Sequence, residues 1–207
     1  MKKFIFTIPI QKPEFSKNVN YLSDFDSLKN DLVTKFPILI PIVNSVKESE
    51  HIKIIAICIN HENTNVHMPV FQEELDNIAK NIGFSYEIEF IHTEFNESLN
   101  SHISLYLDLI EFFSDNDILT ADVTYGTKPT PMIIKMALSF AKNYYNNVFI
   151  DKIIYASLNF ITGESKVHDV SSLFYMERVT QLAKNHNLED IKKILKNIAD
   201  EGEDSDE

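Results

Sequence analysis

Glycine is scarce in this sequence, and the four glycines are far apart. Gly83, Gly126, Gly163 and Gly202 are the only ones in 207 residues. A Walker A loop and a GxGxxG dinucleotide-binding loop both need clustered glycines, because the backbone must approach a phosphate closely. The sequence therefore excludes both of these nucleotide-binding motifs.

Cysteine and long apolar runs are equally rare. Because Cys58 is the single cysteine, no intrachain disulfide and no thiolate metal cluster can form. The apolar run over residues 4–10 follows two lysines, as in a signal peptide, but it is too short for a membrane span and Pro9 interrupts it. No other stretch reaches about 18 apolar residues. We expect a cytoplasmic protein with no membrane segment, no bound metal and no cofactor.

Basic residues are outnumbered, with 19 lysines and arginines against 31 acidic residues and a net charge of −12. The segment 200–207 holds six of the carboxylates and no apolar side chain, which predicts a disordered acidic tail. Without it the charge is −6, so half of the net charge lies outside the predicted fold. The acidic balance argues against a general affinity for DNA or for membrane surfaces.

Short apolar segments predict the strands of one central sheet. Residues 52–59 are almost continuously apolar, as expected for a strand covered on both faces. Residues 86–90 alternate apolar side chains with Glu87 and Glu89, which is typical of an edge strand. Further strands are predicted at residues 3–8, 118–124 and 152–158, and a last strand at 165–170 would form a hairpin after a turn over 159–164.

Helical periodicity predicts helices between these strands. A helix over 71–82 should end at Gly83, and a second has an apolar stripe formed by Leu99, Ile103, Tyr106, Leu107 and Ile110. The helix over 131–143 has a narrow polar stripe, which predicts a mostly buried helix, and a shorter helix is expected over 37–47. Two more helices follow the hairpin. Strands that alternate with helices predict an α/β fold with a mainly parallel sheet flanked by helices.

One segment after the fourth predicted strand combines a turn with residues that suit an anion. Asp122, Thr124, Gly126 and Lys128 follow the order Asp-x-Thr-x-Gly-x-Lys, and Pro129 and Pro131 lead into the next helix. Ligands of parallel sheets bind beyond the carboxyl ends of the strands. We expect free N–H groups in the first turn of the helix, two threonine hydroxyls and the lysine to form an anion site. An ordinary strand-to-helix turn with a solvated lysine is the alternative.

This segment resembles the signature of CARF domains, the Rossmann-like sensors of cyclic oligoadenylates in type III CRISPR antiviral defence. The C-terminal hairpin and helix also resemble the family, and the likeness covers roughly residues 1–185. A helical appendage over 186–199 and the acidic tail would follow. The two prolines directly behind Lys128 depart from the family pattern.

The resemblance implies a homodimer in which paired loops form one pocket for a cyclic oligoadenylate, with cyclic tetra-adenylate favoured over hexa-adenylate. It places the loop after the first strand beside the motif loop, and position alone adds the loop after the second strand. The candidate ligand-binding residues are Thr7, Ile8, Pro9, Ile10, Gln11, Asn60, Thr124, Tyr125, Gly126, Thr127 and Lys128.

Other groupings of reactive residues are weaker. The spacing of His61 and His67 matches no standard metal-ligand pair, and His92 and His102 have no obvious carboxylate partner, so surface or capping roles are favoured. Arg178 is the only arginine, and no histidine follows it at the spacing of the HEPN ribonuclease motif found in many CARF effectors. An effector would therefore lie outside these residues.

Three functions remain open from the sequence. The first is a dimeric sensor, either free-standing or part of a longer effector. The second is a ring nuclease that cleaves the same ligand without metal, by attack of the ligand's own 2′-hydroxyl, with Lys128 stabilising charge. The third is a Rossmann-like module for another small anion.

Overall fold

The computed structural model describes residues 1–158, 163–182 and 187–203. The strands are β1 (Lys2–Thr7), β2 (Val19–Asn20), β3 (Val33–Thr34), β4 (His51–Ile59), β5 (Ser85–Thr93), β6 (Ile118–Asp122), β7 (Phe149–Leu158) and β8 (Ser165–Asp169). The α-helices are α1 (Leu39–Ser45), α2 (Glu62–Ile82), α3 (Leu99–Ile110), α4 (Pro129–Tyr144), α5 (Ser171–Leu182) and α6 (Leu188–Glu203), and a 3-10 helix covers Asp26–Leu28.

Six strands form one sheet in the order β5-β4-β1-β6-β7-β8. All neighbouring pairs are parallel except β7 and β8, which pair antiparallel as a hairpin. This is a Rossmann-like α/β fold, so the predicted fold class is confirmed. The edge position of β5 agrees with its alternating glutamates. Most of the predicted turn of the hairpin, residues 159–162, lies outside the described residues.

The helices cover both faces of the sheet. One apolar core lies between the sheet and α3, α4 and α5, and a second lies between the sheet and α1 and α2. A third, smaller core joins Tyr21, Leu28 and Ile40 to β7 and β8. Gly83 ends α2 in the left-handed conformation (φ 88°), as the sequence predicts.

The faces of α3 and α4 differ from the sequence-based prediction. Leu105 and Leu109 are the buried residues of α3, whereas Leu99, Ile103 and Leu107 are exposed. The predicted stripe is wrong for these three residues, because α3 is apolar on more than one side, whereas Tyr106 and Ile110 do pack against the core. Most residues of α4 are buried or half-buried, as the narrow polar stripe predicts, but the helix also exposes Met132, Met136 and Tyr144, which the sequence did not predict.

The long connection between β1 and α1 crosses the sheet to its β8 edge. There the N–H of Leu22 donates to the carbonyl of Ser165 (2.9 Å), and the N–H of Val167 donates to the carbonyl of Leu22 (2.9 Å). This connection therefore passes over the carboxyl ends of β6 and β7. Helix α6 runs to Glu203, four residues into the segment predicted to be disordered, and residues 204–207 lie outside the described residues. No helix in the described ranges has both the length and the apolar character that a membrane crossing needs.

Candidate functional site

The motif loop, residues 123–128, connects the end of β6 to the start of α4. Gly126 has a φ of 113°, and a Cβ atom there would lie 2.9 Å from the Cβ of Thr130. Both the backbone conformation and the close approach therefore require glycine at this position. The N–H of Val123 donates to the carbonyl of Ile154 (2.9 Å), which ties the start of the loop to β7.

Asp122 organises the turn from a fully buried position. One carboxylate oxygen accepts the N–H of Thr124 at 2.8 Å, the usual way an aspartate closes a turn on its own backbone. The other oxygen, Oδ2, has no hydrogen-bond partner among the described residues. Burial raises the pKa of this carboxyl to about 6, although hydrogen bonding from Thr124 and the nearby N–H of Ile38 act in the opposite direction. The end of β6 therefore holds a buried carboxyl group whose pKa lies well above its usual value.

The first turn of α4 does not supply the N–H groups that the sequence led us to expect. Pro129 and Pro131 have no N–H, and the N–H of Thr130 donates to the carbonyl of Thr127 (3.0 Å). The unpaired N–H groups lie in the motif loop, before α4 begins. In the described part of the chain no acceptor is found for the N–H groups of residues 125–128. Consecutive free N–H groups in a turn form an anion-binding concavity.

The polar side chains of the motif loop divide into structural and free groups. The Thr124 hydroxyl oxygen accepts the N–H of Ala156 (2.8 Å), and the hydroxyls of Thr127 and Thr130 bond to each other (3.1 Å). The Thr124 hydroxyl thus serves the protein as an acceptor, and the Thr127 hydroxyl is paired with Thr130. Lys128 is exposed and forms no ion pair with any described residue. It is the positive charge that this loop can offer to a ligand.

The loop after β1 lies on the other side of the motif loop, and most of its side chains are internal. Thr7, Ile8 and Pro9 are buried, and the N–H of Ile8 already donates to the carbonyl of Ile57 (2.9 Å). Ile10 is half-buried and Gln11 is exposed. Of the five candidates in this loop, Gln11 is therefore the one whose side chain is free to contact a ligand.

Two residues of α2 fix the direction of this loop. The Asn63 amide donates to the carbonyl of Ile10 (3.0 Å), and the ring of His67 donates from Nε2 to the carbonyl of Gln11 (3.0 Å). In a trans peptide the N–H points opposite to the carbonyl, so the N–H groups of Gln11 and Lys12 point away from α2. The sequence did not predict either contact, because no local pattern connects α2 to a loop more than 50 positions earlier.

The histidines take three different roles. His67 is fully buried, and burial lowers its pKa, so the predicted surface or capping role is wrong for this residue. His61 is the N-cap of α2 and accepts the N–H of Asn63 (3.2 Å), which is the predicted capping role. His102 lies 3.0 Å from Glu97, a carboxylate partner that the sequence analysis did not identify. Within the described residues, no group of three or more potential ligands is arranged to hold a metal ion.

Asn60 lies apart from the other candidates. Its side-chain amide is 3.4 Å from a carboxylate oxygen of Glu94, and its N–H donates to the carbonyl of Thr93 (2.7 Å). The residue is exposed, but it lies in the loop after β4, and its contacts are made to the edge strand β5 and the residue that follows it.

A cavity of about 490 Å³ lies between the motif loop and the connection that crosses the sheet. It brings three candidate residues together, Gln11, Thr124 and Tyr125. The Tyr125 hydroxyl donates to the carbonyl of Lys35 (3.0 Å), which holds its ring in the wall. The remaining lining residues are Glu14, Phe15, Ser16, Lys17, Val19, Tyr21, Ala156, Ser157, Gly163 and Ser165.

Comparison with known proteins identifies no family. No family model matches the sequence, and a search of curated proteins finds no significant match.

Proposed function

We propose that the protein is a homodimeric sensor that binds a cyclic oligoadenylate, with cyclic tetra-adenylate favoured, at the carboxyl edge of its sheet. The observation that carries the proposal is the motif loop, where the unpaired N–H groups of residues 125–128 lie beside the free Lys128. Backbone N–H groups and a lysine together bind phosphate in many nucleotide sites. The Asp-x-Thr-x-Gly-x-Lys order supports oligoadenylate as the phosphate ligand.

The charge distribution is compatible with a small ligand and opposes a large one. A chain with a net charge of −12 repels an extended polyanion. A cyclic oligonucleotide has few phosphates, and one loop per protomer can meet them at short range. The proposal therefore needs only a local positive region and no basic face.

The exposed faces of α3 and α4 supply a surface for the second protomer. Met132, Met136 and Tyr144 recur at helical spacing along α4, and Leu99, Ile103 and Leu107 do so along α3. Met132 and Tyr144 are 67% and 69% exposed. The two helices pack against each other, and we infer that these six side chains together form the dimer surface, which we call the α3–α4 face. Such surfaces are typical of interfaces between subunits.

The α3–α4 face begins next to the motif loop. Met132 follows Lys128 by one turn of α4, and Thr127 lines a small pocket together with Ser101 and His102 of α3. A two-fold axis through this face would bring the two motif loops near each other. A ring with equivalent halves could then contact both loops in the same way.

Titration calorimetry with cyclic tetra-adenylate and cyclic hexa-adenylate tests the proposal. We expect one ring to bind per two chains, and light scattering should give twice the mass of one chain. The Lys128→Ala variant should bind about ten- to a hundredfold more weakly, because a hydrogen bond to a charged group contributes about 1.5–3 kcal/mol. Lys80→Ala, at an exposed position at the end of α2, is the matched control and should bind like the wild type.

The absence of binding to both rings, or an equal loss in the two lysine variants, would refute the proposal. Chromatography of the ligand after incubation separates the sensor from the ring nuclease. An intact ring supports a sensor, whereas linear products released by the wild type and not by Lys128→Ala would identify a nuclease.

A further inference from the structure

The 490 Å³ cavity is a compartment of each protomer, separate from the α3–α4 face. Its walls come from the crossing connection, the end of β6 and the β7–β8 hairpin. Tyr21 and Ala156 belong to the small core on the α1 side of the sheet, whereas α3 and α4 cover the opposite side. A ligand that contacts the motif loop could therefore extend one group into this cavity without involving the second protomer.

Hydrogen bonds anchor the walls of the cavity that the described residues form. The two backbone hydrogen bonds between Leu22 and β8 hold the crossing connection in place, and the Ser23 hydroxyl adds a third bond to the carbonyl of Val167 (3.0 Å). On the other side, the bond between Thr124 and Ala156 fixes the motif loop against β7. A cavity of several hundred cubic ångströms with both walls anchored has the usual size of a small-molecule site.

A buried hydroxyl without a partner lines this cavity. Ser165 is only 3% exposed, and its Oγ atom has no hydrogen-bond partner among the described residues. Ser16, which is 8% exposed, adds a second hydroxyl to the same cavity. An unsatisfied buried hydroxyl costs about 1–3 kcal/mol, so a ligand that bonds to it recovers that free energy.

The inner wall is aromatic and uncharged. Tyr21 and Tyr125 form it, and burial raises the pKa of both hydroxyls, which keeps them neutral. Phe15 is 66% exposed at the border of the cavity, and Glu14 and Lys17 are exposed beside it. Among the described lining residues Lys17 is the single cation, and it lies at the border. The interior therefore offers no positive charge to a phosphate. Aromatic rings beside hydroxyl groups instead suit a nucleobase, which stacks on rings and bonds through its edge.

We propose that the cavity of each protomer receives one nucleobase of the bound ring. The base stacks against the aromatic wall and forms a hydrogen bond with the Ser165 hydroxyl. The identity of the base as adenine rests on the proposed function. The phosphates stay outside at the motif loop, and the base passes inward beside Thr124 and Gln11. Ser165 and Phe15 are then ligand contacts that the motif does not contain.

The absence of tryptophan from the chain permits a direct test. A Phe15→Trp variant places one indole at the border of the cavity, and a Phe149→Trp variant places one at the start of β7, at the opposite edge of the sheet and with similar exposure. We expect saturating cyclic tetra-adenylate to quench the fluorescence of the first variant and to leave the second unchanged. Inorganic phosphate, which lacks a base, should quench neither.

Ser165→Ala separates binding from folding. Because the hydroxyl has no partner among the described residues, its removal should leave the urea midpoint unchanged or slightly raised, and should weaken cyclic tetra-adenylate binding about five- to tenfold by calorimetry. Binding by calorimetry without quenching, and with full affinity in Ser165→Ala, would overturn the cavity proposal while the proposed function stands. Absence of binding in the wild type would overturn both.

Discussion

Two buried aspartates stand at opposite ends of the same strand and are treated differently by the fold. Asp117 precedes β6 and Asp122 ends it, and each is 1% exposed. The carboxylate of Asp117 lies 2.6 Å from the ammonium of Lys3 and also accepts the N–H of Ser114 (2.7 Å). Asp122 accepts the N–H of Thr124 and faces no cation among the described residues.

The comparison distinguishes the two edges of the sheet. The amino edge, with Asp117, serves stability, whereas the carboxyl edge, with Asp122, is available for binding. At the amino edge, Lys3 and the N-terminal ammonium neutralise Asp117, whose Oδ1 has no hydrogen-bond partner among the described residues but lies 3.5 Å from that ammonium. At the carboxyl edge, Asp122, Ser165 and the N–H groups of the motif loop keep unmet hydrogen-bonding capacity toward the described residues. Unsatisfied groups reduce stability, and they are expected where a ligand completes the structure.

The largest predicted effect comes from breaking the ion pair at the amino edge. Lys3→Met should lower the free energy of unfolding by about 3 kcal/mol, because the buried Asp117 carboxylate then keeps only the partly exposed N-terminal ammonium, 3.5 Å from its Oδ1. Urea unfolding followed by circular dichroism measures this loss.

Two further variants make the comparison at Lys3 specific. Lys29→Met removes an exposed partner of Asp26 and should change stability by less than about 1 kcal/mol. Asp117→Asn combined with Lys3→Met should recover part of the loss, because the uncharged amide can still accept the N–H of Ser114. Equal effects of Lys3→Met and Lys29→Met would show that the buried pair has no special role.

A smaller effect is expected at Gly126, on the carboxyl edge. Gly126→Ala should destabilise the protein by roughly 1–3 kcal/mol, because it combines a positive φ with a Cβ contact of 2.9 Å to Thr130. Gly163→Ala is the control, since that residue also has a positive φ (73°) but nothing lies within 4 Å of the added Cβ. The excess loss at Gly126, measured by thermal unfolding, reports the close packing of the motif loop on α4. Identical losses would exclude that contact as a cause.

Much of the fold could be predicted from the sequence, because periodicity and capping are local properties. The five parallel strands, the Gly83 cap and the terminal hairpin follow from patterns of fewer than about 20 residues. The orientation of α3 could not be predicted, since this helix has two apolar stripes. The stripe that contains Ile103 and the stripe that contains Leu105 both repeat at helical spacing. Which stripe is buried depends on the angle at which the helix docks.

The site was predictable only where its residues are contiguous in the sequence. The motif loop is contiguous, so its position after β6 and its glycine could be predicted directly. The cavity wall is not contiguous, because Tyr21 and Ser165 meet only through the pairing of Leu22 with β8. The hydrogen bond from His67 to the loop after β1 is equally non-local.

The smallest predicted effect concerns the proton of Asp122 and depends on pH. The pKa of this carboxyl is raised from 3.8 to about 6 in the folded protein, so between those values the folded protein binds a proton that the unfolded chain has released. This proton therefore makes the free energy of unfolding fall as pH rises from about 4 to about 7, and the effect levels off above that range. Asp122→Asn removes this contribution, while its side-chain oxygen can still accept the N–H of Thr124. Relative to the wild type, the variant should gain on the order of 1 kcal/mol between about pH 5 and about pH 7.5 in urea unfolding. Parallel stability curves for the two proteins would show that the buried carboxyl at the carboxyl edge is as well compensated as its counterpart at the amino edge.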